Sequence, residues 1–538
     1  MKQQKQGYFH AKAQKIDITL GDDCAVVIHE KEAAKHGITT LDKVTIFFKD
    51  KKTGDQKQAS VNADLTNELV RPGYIGIMKD THEKYQINHG DVIGIQYTKT
   101  SEISVLAIKK KLLGKKLTEE EVEAIIKDIS DNKLSKTMLA YYVATSFLQE
   151  EDEDELFWST KYSAKYGEQL NFGAEKGEII ADKHCIGGVP GNETTMILIP
   201  IIASLGIKIP KTFSKAITSP AATGECVEVL MGIQNNKQEI YETVEKTGGC
   251  LSWGGGLALA PANNAIMEVT YPIAMEPYSK MVSSITAKKY AMGVSHCLID
   301  IPVGDTAKVD QEDADKIAYY FNMLAKKLGM KMKVVFTNAD QPIGQGIGAV
   351  LQAKEAIAIL QNHPSKSESL EVKTIQLASE IIALAGLAEG EQAKNLAREQ
   401  LKNGKARAKF LEIARVQNSF GENTENTKNN KKYSQYYSGT LEDLTPEKFI
   451  LAKHSKDIII TSSEQEDGTM TLKNIDMKKL GSIARTLGCP LDYQAGIYLH
   501  HRLGAKLKKG AVLMTLYSND EFKLEQAVQR LESENIYN

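Results

Sequence analysis

At 538 residues the chain has room for three or four domains of roughly 150 residues each. Its 67 Lys and Arg nearly balance its 69 Asp and Glu, and a net charge of −2 argues against a nucleic-acid or membrane-surface partner. Six cysteines without a CxxC pair exclude a disulfide framework and a zinc ribbon. With no apolar leader in MKQQKQGYFH and no apolar run near about 18 residues, a cytoplasmic protein is expected.

Residues 1 to about 100 carry short β-type runs, AVVIHE, KVTIFF, GYIGIM and DVIGIQY, broken by Gly and Asp. They read as a β-rich, barrel-like N-terminal domain. From Leu117 the period becomes helical. Thr118 and Glu121 form a capping box, and Val122, Ile125, Ile126 and Ile129 supply an apolar stripe. Further helices are expected over Ser135–Leu148 and from about Leu156 to Tyr166. Glu178–Ala181 (EIIA) reads as a strand that delivers DKHCIGG to its C-terminal edge, where ligands gather in open α/β sheets. The Asn-rich segment from Gln417 to Lys432 reads as an exposed loop, and short strands return from Phe449.

The most informative stretch is Asp182–Thr223. It opens DKHCIGGVPGNETT, continues through an apolar run from Met196 to Ile209, and ends PKTFSKAITSPAAT. Gly187, Gly188 and Gly191 let backbone N–H groups approach an anion, and a helix starting near Asn192 would add its positive end. Lys183 adds a full charge. Thr194, Thr195, Ser214, Thr218, Ser219 and Thr223 add hydroxyl donors. Together they describe a phosphate cradle made from two loops, with no GxxxxGK[ST] pattern to suggest a Walker loop.

DKHxxGG followed by a Ser/Thr-rich loop resembles the thymidine/pyrimidine-nucleoside phosphorylases, whose run is closer to DKHSTGGVGD. VPGNETT and SKAITSPAAT are nearer to the long AMP phosphorylase branch, which has SRAITSPA and an extra N-terminal domain. The likeness runs from about Lys115 to the C-terminus. It implies an α/β multidomain fold in four parts: the N-terminal β-rich domain (1–100), a small all-α domain (101–180 with part of 200–300), a central α/β phosphate-binding domain with a mixed sheet (180–430), and a C-terminal α+β domain (431–538).

The resemblance also implies phosphorolysis, in which inorganic phosphate attacks the anomeric carbon and the base leaves. Such a transition state needs an aligned phosphate and a donor to the departing base. Lys183, Cys185, Thr195, Ser214 and Thr223 match the phosphate-holding positions, with Cys185 standing where the family has Ser. His184 faces the base, with a protonation its site can tune. Ser284 and Lys288, one helical turn apart, match base contacts, and Lys289 is an alternative to Lys288. Gly188, the run Ser214, Lys215, Ala216, Ile217, Thr218 and Ser219, Thr223 and Lys308 match the nucleotide-binding set, with Lys215 in place of Arg. Glu276, in MEP, stands where the AMP branch has the Asp that protonates the leaving purine. MEVTYPIAMEP lacks the Arg of pyrimidine enzymes.

The expected substrates are a nucleoside or nucleoside 5′-monophosphate and inorganic phosphate, with no metal or other cofactor and with a homodimer or higher homo-oligomer as the assembly. Two other readings remain open: an anthranilate-type phosphoribosyltransferase, and a non-catalytic nucleotide-binding relative.

Overall fold

The computed structural model describes residues 8–21, 24–40, 42–51, 53–149, 151–216, 219–273, 277–420, 433–460 and 469–533. The chain divides into two compact units. One comprises residues 1–167 with 260–284, and the other 168–259 with 285–538.

The first unit begins with a closed six-stranded barrel, as the alternating runs imply. Its strands are β1 (Tyr8–Ile16), β2 (Ala25–His29), β3 (Lys43–Lys49), β4 (Gln56–Thr66), β5 (Tyr74–Met78) and β6 (Val92–Tyr97), in the order β1-β5-β2-β4-β3-β6. Alternation fills the interior: Val44, Ile46 and Phe48 of β3 point inward with Ile93 and Ile95 of β6. Two pairings, β1 with β5 and β2 with β4, are parallel.

The same unit holds helices Glu102–Leu112, Glu119–Ser130, Lys136–Leu148, Glu153–Lys165 and Pro261–Thr270. The expected capping box forms: Thr118 N donates to Glu121 Oε2 at 2.7 Å, and Glu121 N donates to Thr118 Oγ1 at 3.3 Å. Val122, Ile125, Ile126 and Ile129 are all buried below it. Asn132, at φ 53°, joins the barrel to these helices. Its Nδ2 donates to Ser60 O at 3.0 Å, its carbonyl accepts from Ser60 Oγ at 2.9 Å, and its Oδ1 accepts from Lys43 Nζ at 2.6 Å.

The second unit is built on β7 (Ala181–Cys185), β8 (Ile209–Phe213), β9 (Gly249–Trp253), β10 (His296–Val303) and β11 (Lys331–Asn338). Three strands run in the order β11-β10-β7, β8 pairs with β9, and an Ile180–Lys208 bridge links the two groups. Every described pairing here is parallel, in contrast to the mixed sheet expected from the sequence.

The strand also falls later than expected. DKHC lies inside β7, with Ala181 to Cys185 in register with His296 to Asp300, so EIIA is its approach rather than its body. Burying DK in a strand is tolerable only because opposite charges await it there.

Helix Thr194–Ser204 is buried from Thr194 to Ala203, at the centre of the largest core, with helices Ala349–Leu360, Glu368–Leu384 and Lys405–Asn418 around it. The C-terminal part of this unit adds β12 (Gly346–Ile347), β13 (His454–Ile459), β14 (Thr469–Thr471), β15 (Gly496–Leu499), β16 (Lys506–Lys508) and β17 (Val512–Ser518). They form an antiparallel sheet β12-β15-β17-β13 and a β14-β16 ribbon. Arg502 donates to Pro342 O at 2.9 Å and Ile343 O at 3.0 Å, so this sheet grips the loop that leads into helix Ala349–Leu360. Residues 421–432 of the expected Asn-rich loop lie outside the described residues. No helix among the described residues is long and apolar enough to cross a membrane.

Candidate active site

Successive residues of β7 face opposite sides of the sheet, so Asp182 and Lys183 enter different surroundings. Asp182 is fully buried, with Lys211 Nζ of β8 at 3.2 Å and Lys289 Nζ, from helix Tyr278–Ala291, against its other oxygen. Lys183, 2% exposed, donates to Thr194 Oγ1 at 2.9 Å and lies 3.9 Å from Asp300 Oδ2 of β10. Lys373 Nζ reaches the same Asp300 oxygen at 3.4 Å, and Thr337 Oγ1 donates to Asp300 Oδ1 at 2.6 Å. Four lysines and two aspartates therefore form two buried charge clusters, Lys211 and Lys289 around Asp182 on one face of β7 and Lys183 and Lys373 around Asp300 on the other.

Burial works against the charges around Asp182. It pushes the Asp182 carboxyl up, yet Lys211 and Lys289 overcome it and hold the group below its ordinary range. Burial pulls Lys211 down to about 7; Asp182 opposes this, and Lys289 and Lys183 add to it.

The glycine loop follows β7 directly. Gly187, Gly188 and Gly191 have φ of 86°, 89° and 68°, where only glycine is comfortable. A Cβ on Gly188 would stand 2.6 Å from Lys308 Cβ and 2.8 Å from Lys308 N, so the fold sets these two expected ligand residues side by side. Cys185 Sγ accepts from Asn192 Nδ2 at 3.3 Å and from Gly187 N at 3.5 Å. Its thiol thus occupies one of the N–H groups expected from sequence to meet phosphate. Burial, then Asp300, pushes that thiol up, so it stays protonated.

The helix starts at Thr194, two residues later than expected. Thr194 Oγ1 accepts from Lys183 and donates to Asn192 Oδ1 at 3.0 Å, which ties Lys183 to the loop, while Thr195 is buried at the first turn. Glu193, at the cap position, is a residue that sequence reasoning missed. It is 1% exposed, its Oε1 accepts from Gln352 Nε2 at 2.9 Å, and its Oε2 has no partner among the described residues. Burial lifts it to about 7. A Glu beside a helix start is so ordinary that no local signal marks it.

The second loop leaves β8. Ser214 and Ser219 are exposed, Lys215 and Ala216 are half-buried, and Thr223 begins helix Thr223–Glu228. Ala216 N donates to Glu225 Oε1 at 2.9 Å and Ala222 N to Glu225 Oε2 at 3.0 Å, so one buried carboxylate shapes both ends of this loop. Ile217, Thr218 and Glu276 lie outside the described residues.

At His184, burial, followed by Lys289, Lys211, Lys183 and Lys288, drives the imidazole well below the ordinary value, so its site tunes it to the neutral form. On helix Tyr278–Ala291, Ser284 is buried and Lys288 half-buried. Lys289 is the member of the pair committed to Asp182, which leaves Lys288 as the ligand candidate. Lys308 is exposed.

Known proteins resemble the chain over most of its length. Residues 177–407 match the glycosyl transferase family a/b domain, and residues 471–538 match the pyrimidine nucleoside phosphorylase C-terminal domain. The AMP phosphorylase of Methanospirillum hungatei is 34% identical over 519 residues, 96% of this chain and 93% of that protein. That of Pyrococcus furiosus is 36% identical over 514 residues, 95% of this chain and 94% of that protein. An anthranilate phosphoribosyltransferase from Thermus thermophilus superimposes at a TM-score of 0.49 and 15% identity, over 58% of this chain and 98% of that chain, too distant to speak to function. The matched domains are those of a pentosyltransferase. The chain belongs to the pyrimidine-nucleoside phosphorylase family, on its long branch near the AMP phosphorylases.

Proposed function

We propose that the protein cleaves the N-glycosidic bond of a nucleoside 5′-monophosphate, with AMP as the leading candidate, using inorganic phosphate and releasing free base and ribose 1,5-bisphosphate. The observation that carries this reading is the identity of about a third to AMP phosphorylases across nearly the whole chain, barrel included.

In this mechanism Lys183 and the Gly187–Gly191 loop hold orthophosphate beneath the anomeric carbon, with Thr195, Ser214 and Thr223 as hydroxyl donors. Cys185 orders the loop through Asn192 and Gly187. Lys308, Gly188, Lys215 and the Ser214–Ser219 run take the 5′-phosphate. Neutral His184, Ser284 and Lys288 face the base, and Glu276 protonates it as it leaves. Phosphate is a co-substrate, and no metal is required. The assembly is a homodimer in the cytoplasm, for which the exposed Leu106, Leu113, Tyr141 and Leu148 of the first unit offer an apolar surface.

The test is a panel of AMP, CMP, UMP, adenosine, uridine and thymidine, followed for free base with and without phosphate. Phosphate-dependent release from AMP is expected, and Glu276→Gln should lower it by about two orders of magnitude or more. Release from nucleosides alone, or dependence on phosphoribosyl diphosphate and Mg²⁺, would overturn the reading. Light scattering reads the dimer, and Leu113→Glu with Leu148→Glu should dissociate it.

A further inference from the structure

Lys215 is held from behind. Its Nζ lies 2.5 Å from Glu228 Oε2, and the same oxygen accepts from Tyr493 OH at 2.7 Å. The Trp253 ring centre is 5.8 Å from the ammonium, and Tyr436 stacks on Tyr493 at 5.7 Å. The base of the stem is closely packed: a Cβ on Gly224 would meet Lys215 Cγ and Ser214 O at 2.9 Å each. The loop therefore presents a cation whose charge is already engaged by a carboxylate, and that carboxylate is steadied by a phenol from the C-terminal part of the chain.

We propose that Glu228 and Tyr493 are positioning residues that keep Lys215 in reserve and temper the preference for a phosphorylated substrate over the bare nucleoside. The inference rests on the reading above, in which Lys215 meets the 5′-phosphate. Binding is then a contest between two anions for one ammonium. A phosphate carrying up to two charges wins it, whereas weaker anions leave Lys215 on Glu228. Lysine suits this role because its compact ammonium on a flexible stem changes partner by rotation about its side-chain bonds. When Lys215 departs, Tyr493 OH remains to satisfy Glu228, so the carboxylate is not stranded.

Glu228→Gln keeps the shape and the acceptor for Tyr493 but removes the competing charge. The ratio of KM for adenosine to KM for AMP should rise about tenfold, through KM rather than kcat, and Tyr493→Phe should move it about threefold in the opposite direction, by leaving the carboxylate to Lys215 alone. The Lys215→Ala, Glu228→Gln double variant should lose the gain, since no ammonium remains to be released.

Trp253 gives a second readout, because the chain has two tryptophans and Trp158→Phe leaves it alone. Its emission should shift when AMP binds, and should already be shifted in Glu228→Gln without ligand. An unchanged KM ratio with unchanged Trp253 emission overturns the relay while AMP turnover stands. A parent enzyme that never turns over AMP overturns the 5′-phosphate reading first, and this inference with it.

Discussion

Asp182 and Lys289 meet as an ion pair with 0% and 3% of their side chains exposed. Lys211 shares the same carboxylate at 3.2 Å, so one Asp balances two buried ammonium groups. Asp182→Asn would strand both. A loss of about 3–5 kcal/mol is expected, read as a lower urea midpoint, and a variant as stable as the parent would refute the role.

Glu193 makes stability depend on pH in a defined direction. Burial lifts it to about 7, so across the window from the ordinary carboxylate value up to about 7 the folded chain binds its proton more tightly than the unfolded chain. Its share of stability is complete below that window and is lost as pH rises through about 7. Glu193→Gln should match the parent near pH 5 and exceed it near pH 8, by up to about 3 kcal/mol. Glu355, also lifted to about 7 by burial, retains its own share, so the variant reduces the pH slope without abolishing it. Urea titrations at the two pH values check this.

The neutral imidazole of His184 predicts a flat response where a charged one would titrate. His184→Ala should lower kcat/KM by about 10²-fold, as expected for loss of one preorganised donor. The shape of the kcat/KM profile between about pH 5.5 and 7.5 should not change. An acid limb near pH 6.5 that vanishes in the variant would show that His184 works in its charged form.

Gly188 tests the pairing of the glycine loop with Lys308. At φ 89°, with Lys308 Cβ 2.6 Å from any added Cβ, Gly188→Ala has nowhere to settle. Local strain of about 1–2 kcal/mol is expected, and Lys308 must shift. KM for AMP should rise while far-UV circular dichroism stays as in the parent. An unchanged KM would remove Lys308 from the ligand set.

The sequence made some elements plain and hid others for physical reasons. The barrel was legible because strands such as KVTIFFK alternate strictly between core and solvent. Helix Glu119–Ser130 was legible because Thr118 and Glu121 announce its start. β7 was misplaced because Asp and Lys look like loop residues until Lys211, Lys289 and Asp300 arrive from distant parts of the chain. The cradle glycines carried a local signature, since positive φ and close backbone approach demand them. Glu193 and Glu228 carried none: what makes them unusual is a hydrogen bond from Gln352 in one case and from Tyr493 in the other, both remote in sequence.

The bracing of Asn132 by Ser60 and Lys43 also bears on how the chain can be trimmed. A deletion ending near residue 100 would strip that asparagine of these three hydrogen bonds, and would cut next to Ser101, whose N–H donates to Asp128 at 2.9 Å. What remained would be a helical bundle with a raw seam rather than a tidy shorter protein. The N-terminal module is accordingly a fixture of the first unit, and truncated chains lacking it should come out insoluble.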